Sequence, residues 1–244
     1  MRMMCFAKRT AKEILRDPIN IIFGLGFEVV ILLLLSVIQK NVPVSLFEID
    51  YLAPAISVFG LSFTTLFSAM LISKDRQNEL MARLCTTPMT SADFILGYTL
   101  PIIPMAVAQT AVCYITGVIL GMKLTVNMLA SIAVTIPISV FFIAFGLLCG
   151  SIFNDKQVGE ICGALFTNLT AWLSGAWFDL KLVGGAFESI AKALPFVHAV
   201  DLQRSIIAGN YNVILSDALW VIGYCIVSVI IAVVVFTAKM NRDN

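Results

Sequence analysis

The chain holds one histidine, His198, and no motif for it to join. HExxH, GxSxG and any Cys/His cluster are absent, so a lone histidine three residues after Pro195 reads as a structural hydrogen-bonding group rather than a metal ligand or general base. GxxxxGK[ST] is also missing, which leaves no phosphate-binding loop and no ATPase site in this chain. The 6 cysteines stand singly at Cys5, Cys85, Cys113, Cys149, Cys162 and Cys225, none in CxxC spacing, and they read as small packing residues. Asn168-Leu-Thr170 spells a glycosylation acceptor but falls inside an apolar run, so it is set aside.

Glu28 is the residue that asks for a reason. It sits about midway along a long apolar run, where an ionisable group is costly and faces protein or water rather than lipid. The favoured reading is a hydrogen bond between helices, with Ser62, Thr64, Thr65 and Gln109 available in other runs. The other is a polar or protonatable contact in a transport path. A proton-coupled carrier would normally show several such acids, whereas Asp155 and Glu160 lie at or near a loop.

Composition fixes the elements that must carry these residues. Hydrophobic residues make up 59% of the 244, charged residues 13%, and the mean hydropathy is +0.95. A soluble domain carries roughly a quarter charged residues, so lipid must be the solvent for much of this chain. The net charge of +1 is not spread as the dense basic face that nucleic acid requires. A basic stretch precedes the first apolar run, but that run has the length of a spanning helix rather than of a cleavable signal.

Residues 1–18 predict an interfacial helix. Met4, Ala7, Ala11 and Ile14 recur at helical spacing, with Lys8, Arg9, Lys12, Glu13 and Arg16 on the other side. Asp17-Pro18 breaks it. Spanning helices are expected at 19–38, 51–73, 98–120, 128–150, 158–178 and 217–238, each near the ~20 residues a bilayer needs. Pro101, Pro104 and Pro137 fall inside them and are tolerable where neighbouring helices satisfy the freed backbone groups. Arg2, Lys8, Arg9, Lys12, Arg16, Lys74, Arg76, Arg83, Lys156, Lys239 and Arg242 fall on one side of that arrangement. Lys40, Lys123, Lys181, Lys192 and Arg204 fall on the other. The positive-inside rule then puts both termini in the cytoplasm.

Two segments depart from a plain bundle. In the cytoplasmic connection 74–97, Leu80, Met81, Leu84 and Cys85 repeat at helical spacing among charges and end at Pro88. Thr90 with Asp93 predicts a capping box that restarts the chain as helix. Such an exposed amphipathic helix either docks in a groove on a partner or floats at the interface. On the outer side, 179–216 carries an apolar stretch from Leu182 to Leu194 that is too short to span. Gly184-Gly185, Pro195 and Gly209 punctuate it into two short pieces, expected to dip into the outer leaflet. The expected fold is one all-α transmembrane domain over 1–244, with six crossings, the interfacial helix and this outer re-entrant segment.

Taken together the chain resembles the permease subunits of ABC-2 type transporters, which include antibiotic and multidrug exporters. The resemblance rests on the basic interfacial helix and on Arg83-Leu84-Cys85-Thr86-Thr87-Pro88-Met89-Thr90. It rests also on Leu173-Ser174-Gly175-Ala176-Trp177-Phe178, and on Ala193-Leu194-Pro195-Phe196-Val197-His198-Ala199-Val200-Asp201 with Arg204 before Gly209. The family's glycine-threonine pair and acid ahead of the Arg-Leu stretch are replaced by Glu79, Leu80 and Ala82, and Asp179 stands near its usual proline.

The resemblance implies a translocation path built by a homodimer or by this chain with a related permease, in a bacterial cell membrane. A cytoplasmic ABC ATPase subunit would carry ATP and Mg, with no cofactor on this chain. Residues 75–88 would be the coupling helix, engaging the ATPase through Glu79, Leu80, Arg83, Leu84, Thr87 and Pro88. Ser174, Gly175, Pro195, His198 and Arg204 would shape an outer gate, and Glu28, Phe63 and Phe67 are candidates for the path. Few fixed charges in the spans suit a hydrophobic or amphiphilic substrate such as a drug, antibiotic or lipid. The competing expectation is an ATP-independent carrier or channel with Glu28 as its intramembrane polar site.

Overall fold

The computed structural model describes residues 2–41, 47–78 and 90–242. These are helical nearly throughout, and no strand occurs among them. Helix α1 spans Arg2–Leu15, α2 Pro18–Asn41, α3 Ile49–Gln77, α4 Ser91–Ile119 and α5 Asn127–Ile152. Helix α6 is continuous in three pieces: Asp155–Val158, a π-helical stretch Gly159–Phe166, and Thr167–Leu173. Three shorter helices follow, α7 (Leu180–Val183), α8 (Gly185–Ala193) and α9 (Pro195–Ala208), before the long α10 (Tyr211–Arg242).

Five of these helices are long and apolar enough to cross a membrane: α2, α3, α4, α5 and α10. The stretch expected to cross at 158–178 is helical only from Asp155 to Leu173, and the π turns divide it. Wider π turns advance the chain less per residue than α turns do. The outer segment holds three helices rather than two pieces. Gly184, with φ of +63°, separates α7 from α8, which Gly185 opens at φ +58°. Pro195 opens α9 at a position where its missing N–H is no loss, and Gly209 closes it in the left-handed conformation.

Local chemistry sets the helix starts. Asp17 accepts hydrogen bonds from the backbone N–H and the side-chain amide of Asn20 (3.2 and 2.6 Å), capping α2 with Pro18 at its first position. The Thr90–Asp93 capping box read from the sequence opens α4, which begins at Ser91, earlier than hydropathy placed the span.

Helix α3 is the centre of the bundle, and its composition explains why. Ala53, Ala55, Ser57, Gly60, Ser62, Thr64, Thr65, Ser68 and Ala69 are small, and all but Gly60 are entirely out of contact with the surroundings. In lipid the apolar effect gives helices no reason to associate, so close approach and interhelical hydrogen bonds must do so. The tightest approach is to α5. A Cβ on Gly146 would collide with Ser68 Oγ and the Thr65 carbonyl, and one on Gly150 with the Ala69 backbone. Thr65 Oγ1 donates to the Phe142 carbonyl at 2.9 Å, and Ser68 Oγ reaches that of Ile143 at 3.3 Å. Gly146-Leu-Leu-Cys-Gly150 is a GxxxG motif, a legible signal that hydropathy reading passes over.

Helix α1 docks on the bundle through Phe6, Ala7 and Thr10. Phe6 enters the notch left by Gly97 of α4, edge-on to Tyr98 (centroids 4.9 Å apart) and Phe94 (5.6 Å). Met4, on the stripe expected to lie at the interface, is exposed, as is Leu15 at the end of the helix.

Filling the α3–α5 contact is expected to break the fold. Gly146→Leu should cost about 1–3 kcal/mol or more through overpacking against backbone that cannot yield, read as a lowered unfolding temperature of the detergent-purified chain. Gly223→Leu, at a helical glycine with open space around it, should leave that temperature unchanged.

Candidate functional site

Three polar clusters lie along the length of α3, each joining it to different neighbours. The first is at the end of the bundle that carries α1. Arg9 donates two hydrogen bonds to the carboxylate of Asp75 (2.6 and 2.7 Å), and Tyr98 of α4 donates a third at 2.7 Å. Asp75 is buried, so three donors stand in for the water it has lost. The hydrogen bond to Asp75 holds the Arg9 guanidinium above its ordinary value, with the Asp75 and Glu13 charges adding to it. Burial, together with the Asp75 charge, pushes the Glu13 carboxyl up, although Arg9 lies 2.9 Å away. Beside this latch, Arg76 donates to the Gly150 carbonyl at 2.9 Å and Ser73 to Asp155 at 2.9 Å, tying the same end of α3 to α5 and α6.

The second cluster is at mid-length. Gln109 of α4 donates its amide hydrogen to Glu28 Oε1, and both side chains are fully buried. Gly60 of α3 makes the room, since a Cβ there would collide with the Glu28 carboxyl.

The third cluster is at the opposite end and centres on Gln203 of α9, which is fully buried. Its carbonyl oxygen accepts from Ser57 of α3 (2.5 Å) and from Tyr114 of α4 (2.9 Å). Its amide donates to Thr135 of α5 at 3.0 Å, while Ser131 lies 2.6 Å from the Tyr114 hydroxyl. Arg204, the next residue, donates to the Tyr51 carbonyl (3.1 Å) and the Gly175 carbonyl (3.2 Å), with its guanidinium 3.5 Å from the Tyr51 ring centre. Burial pushes Arg204 below its ordinary value, against the pull of Tyr51 and Asp201.

The sequence-predicted gate residues do not form one group. Gly175, at φ +68°, meets Arg204, and Ser174 hydrogen-bonds within its own turn to the Ala171 carbonyl (3.3 Å). Pro195 is buried at the start of α9. His198 faces α10 instead: Nδ1 lies 2.8 Å from Asp217, Nε2 lies 2.9 Å from the Lys192 carbonyl, and the ring stacks on Trp220 at 5.0 Å. The path candidates are likewise apart. Phe63 joins an aromatic patch with Phe27 (5.1 Å) and Phe59 (6.0 Å), which Trp177 extends. Phe67 lines a cavity of about 70 Å³ with Met105, Ile102 and the polar groups of Glu13, Asp17 and Lys74. Glu79, Leu80, Arg83, Leu84, Thr87 and Pro88 lie outside the described residues.

Sequence reading passed over Asp75, Tyr98 and Gln203. The first sits at the edge of a span and the last in a segment assigned to the outer surface, and only their convergence on α3 marks them. Among the described residues, no group of three His, Cys, Asp or Glu side chains could hold a metal ion.

Five apolar helices long enough to span a bilayer, held together by buried polar clusters, define a multi-pass membrane protein. The model of the ABC-2 type transporter family matches residues 2–208, and the chain belongs to that family; its membrane domain is a transport permease, not itself catalytic. No curated protein matches the sequence.

Two outcomes are expected. A double-mutant cycle of Arg9→Ala and Asp75→Asn should give a coupling of about 0.5–3 kcal/mol in unfolding of the purified chain. Gln203→Leu should destabilise by about 1–3 kcal/mol, because the Ser57 and Tyr114 hydroxyls lose their shared acceptor; unchanged unfolding would remove the third cluster's structural role.

Proposed function

We propose that the chain is the permease subunit of an ATP-driven exporter for a hydrophobic or amphiphilic substrate, such as a drug, antibiotic or lipid. The path is formed by two copies or by this chain with a related permease. A cytoplasmic ABC ATPase, carrying ATP and Mg, sits beneath each. The chain crosses a bacterial cell membrane six times, with α6 as the fifth crossing, both termini in the cytoplasm, and α7 to α9 re-entering from outside. Asp75–Gln77 end α3, so the coupling role expected of residues 75–88 falls to the part of that stretch beyond the helix.

One observation carries this reading: the Arg9–Asp75–Tyr98 latch joins α1, the last turn of α3 and the early turns of α4, the two helices that the coupling segment connects. A push on that segment from an ATPase is therefore delivered to three helices at once. Because α1 leads through Asp17-Pro18 into α2, the first crossing receives the same displacement. Nucleotide shifts the permease between inward- and outward-open states only by its differential affinity for the closed ATPase pair. Sparse buried charge supports the substrate class, since ion pairing with a strongly charged solute has little to work with in the spans.

Co-purification with a candidate ATPase tests the reading. The wild-type chain is expected to form a stable complex with coupled ATP hydrolysis. Leu84→Asp is expected to disassemble it or to uncouple hydrolysis from transport. A chain that purifies alone and moves solute without nucleotide would overturn the proposal.

A further inference from the structure

Glu28 and Gln109 make one hydrogen bond where their geometry calls for two. Gln109 Nε2 donates to Glu28 Oε1, but Glu28 Oε2 and Gln109 Oε1 are both buried without a partner. An ionised carboxylate only accepts hydrogen bonds, and so does an amide carbonyl. With Glu28 charged, two buried acceptors therefore go unsatisfied. The hydroxyls of Ser62 and Thr110 do not supply the missing donor, since each is itself buried and unpaired. Of the titratable side chains that interact with this carboxyl, Cys113 gives its thiol hydrogen to the Ala53 carbonyl at 3.4 Å, and Tyr114 gives its hydroxyl hydrogen to Gln203. From α3 the site is faced by Gly60, which brings no charge. No cation is paired with Glu28 among the salt bridges of the described residues.

We propose that Glu28 carries a proton and closes a cyclic acid–amide pair with Gln109, making a proton-binding site sealed between α2, α3 and α4. The added proton turns Glu28 from a pure acceptor into a donor. Its O–H is directed to the Gln109 carbonyl while the Gln109 amide continues to donate to the acid carbonyl. One proton thus satisfies both orphaned oxygens and removes a bare charge from the middle of the bilayer, where it would be costly. Gly60 is required because a flat two-residue ring needs the space that a Cβ would fill. A site of this kind also responds to movement. If α2 parts from α4 and water reaches the carboxyl, the acid gives up its proton at neutral pH. Seating of α2 against α3 and α4 therefore takes up one proton.

The test is infrared difference spectroscopy on the full chain in lipid nanodiscs at neutral pH, comparing wild type with Glu28→Gln. The expected result is loss of a carboxylic-acid C=O band in the variant. In Gln109→Leu that band should move to higher frequency, because the acid carbonyl has lost its amide donor. Should Glu28→Gln fail to fold, Gln109→Leu against wild type reads the same band by its shift. A difference spectrum holding only carboxylate bands would overturn the proposal, as would a carboxylate band that depends on sodium. An acid band that Gln109→Leu leaves in place would also overturn it.

Discussion

The bundle is arranged around the close approach of α5 to α3. Gly146 and Gly150 allow the two backbones to approach until side-chain hydroxyls on α3 reach carbonyls on α5. Lipid tails are as apolar as leucine, so no solvent drives this contact; dispersion at short range and two hydrogen bonds hold it. With α3 fixed in this way its remaining faces are offered to α2, α4, α6 and α9. The small residues that suit it to α5 on one side also leave the hollow at Gly60 on another.

The polar groups follow a single plan. At one end of α3, Asp75 recruits an amphipathic helix, α1, from outside the bundle. At the other, Ser57 and the Tyr51 carbonyl recruit α9, which like α1 is too short to span a bilayer. Between them Gly60 receives the one acid that α2 carries within its apolar length. Peripheral helices are thus tied to the central helix by groups that lose their partners if either end slips. A buried polar group without a partner costs more than the same bond gains when made.

Much of this was legible in the residues. The lengths of the apolar runs and the Thr90–Asp93 cap located the long helices, because those signals are local. A hydrogen-bonding role for Glu28, with Gln109 among the available partners, followed from the cost of a lone acid in lipid. What stayed hidden depends on contacts distant in sequence. Gln203 is an ordinary residue in an ordinary amphipathic helix until three other helices converge on it. The π turns of Gly159–Phe166 leave no mark in hydropathy, since the same residues could form α turns. His198 and Arg204 share a helix and a family-like segment, yet they face different neighbours.

Those π turns give α6 a property that the other helices lack. Thr167 Oγ1 bonds back to the Cys162 carbonyl at 3.0 Å, five residues earlier, and Phe166 stacks on Phe145 of α5 with centroids 4.4 Å apart. An α-helix turns about 100° per residue, so a π stretch stores angular slack as well as length. If one residue of the wide turns passed into α geometry, the segment from Thr167 to Leu173 would swivel about its own axis without breaking the helix. Gly175, and through its carbonyl Arg204, lie directly beyond that segment.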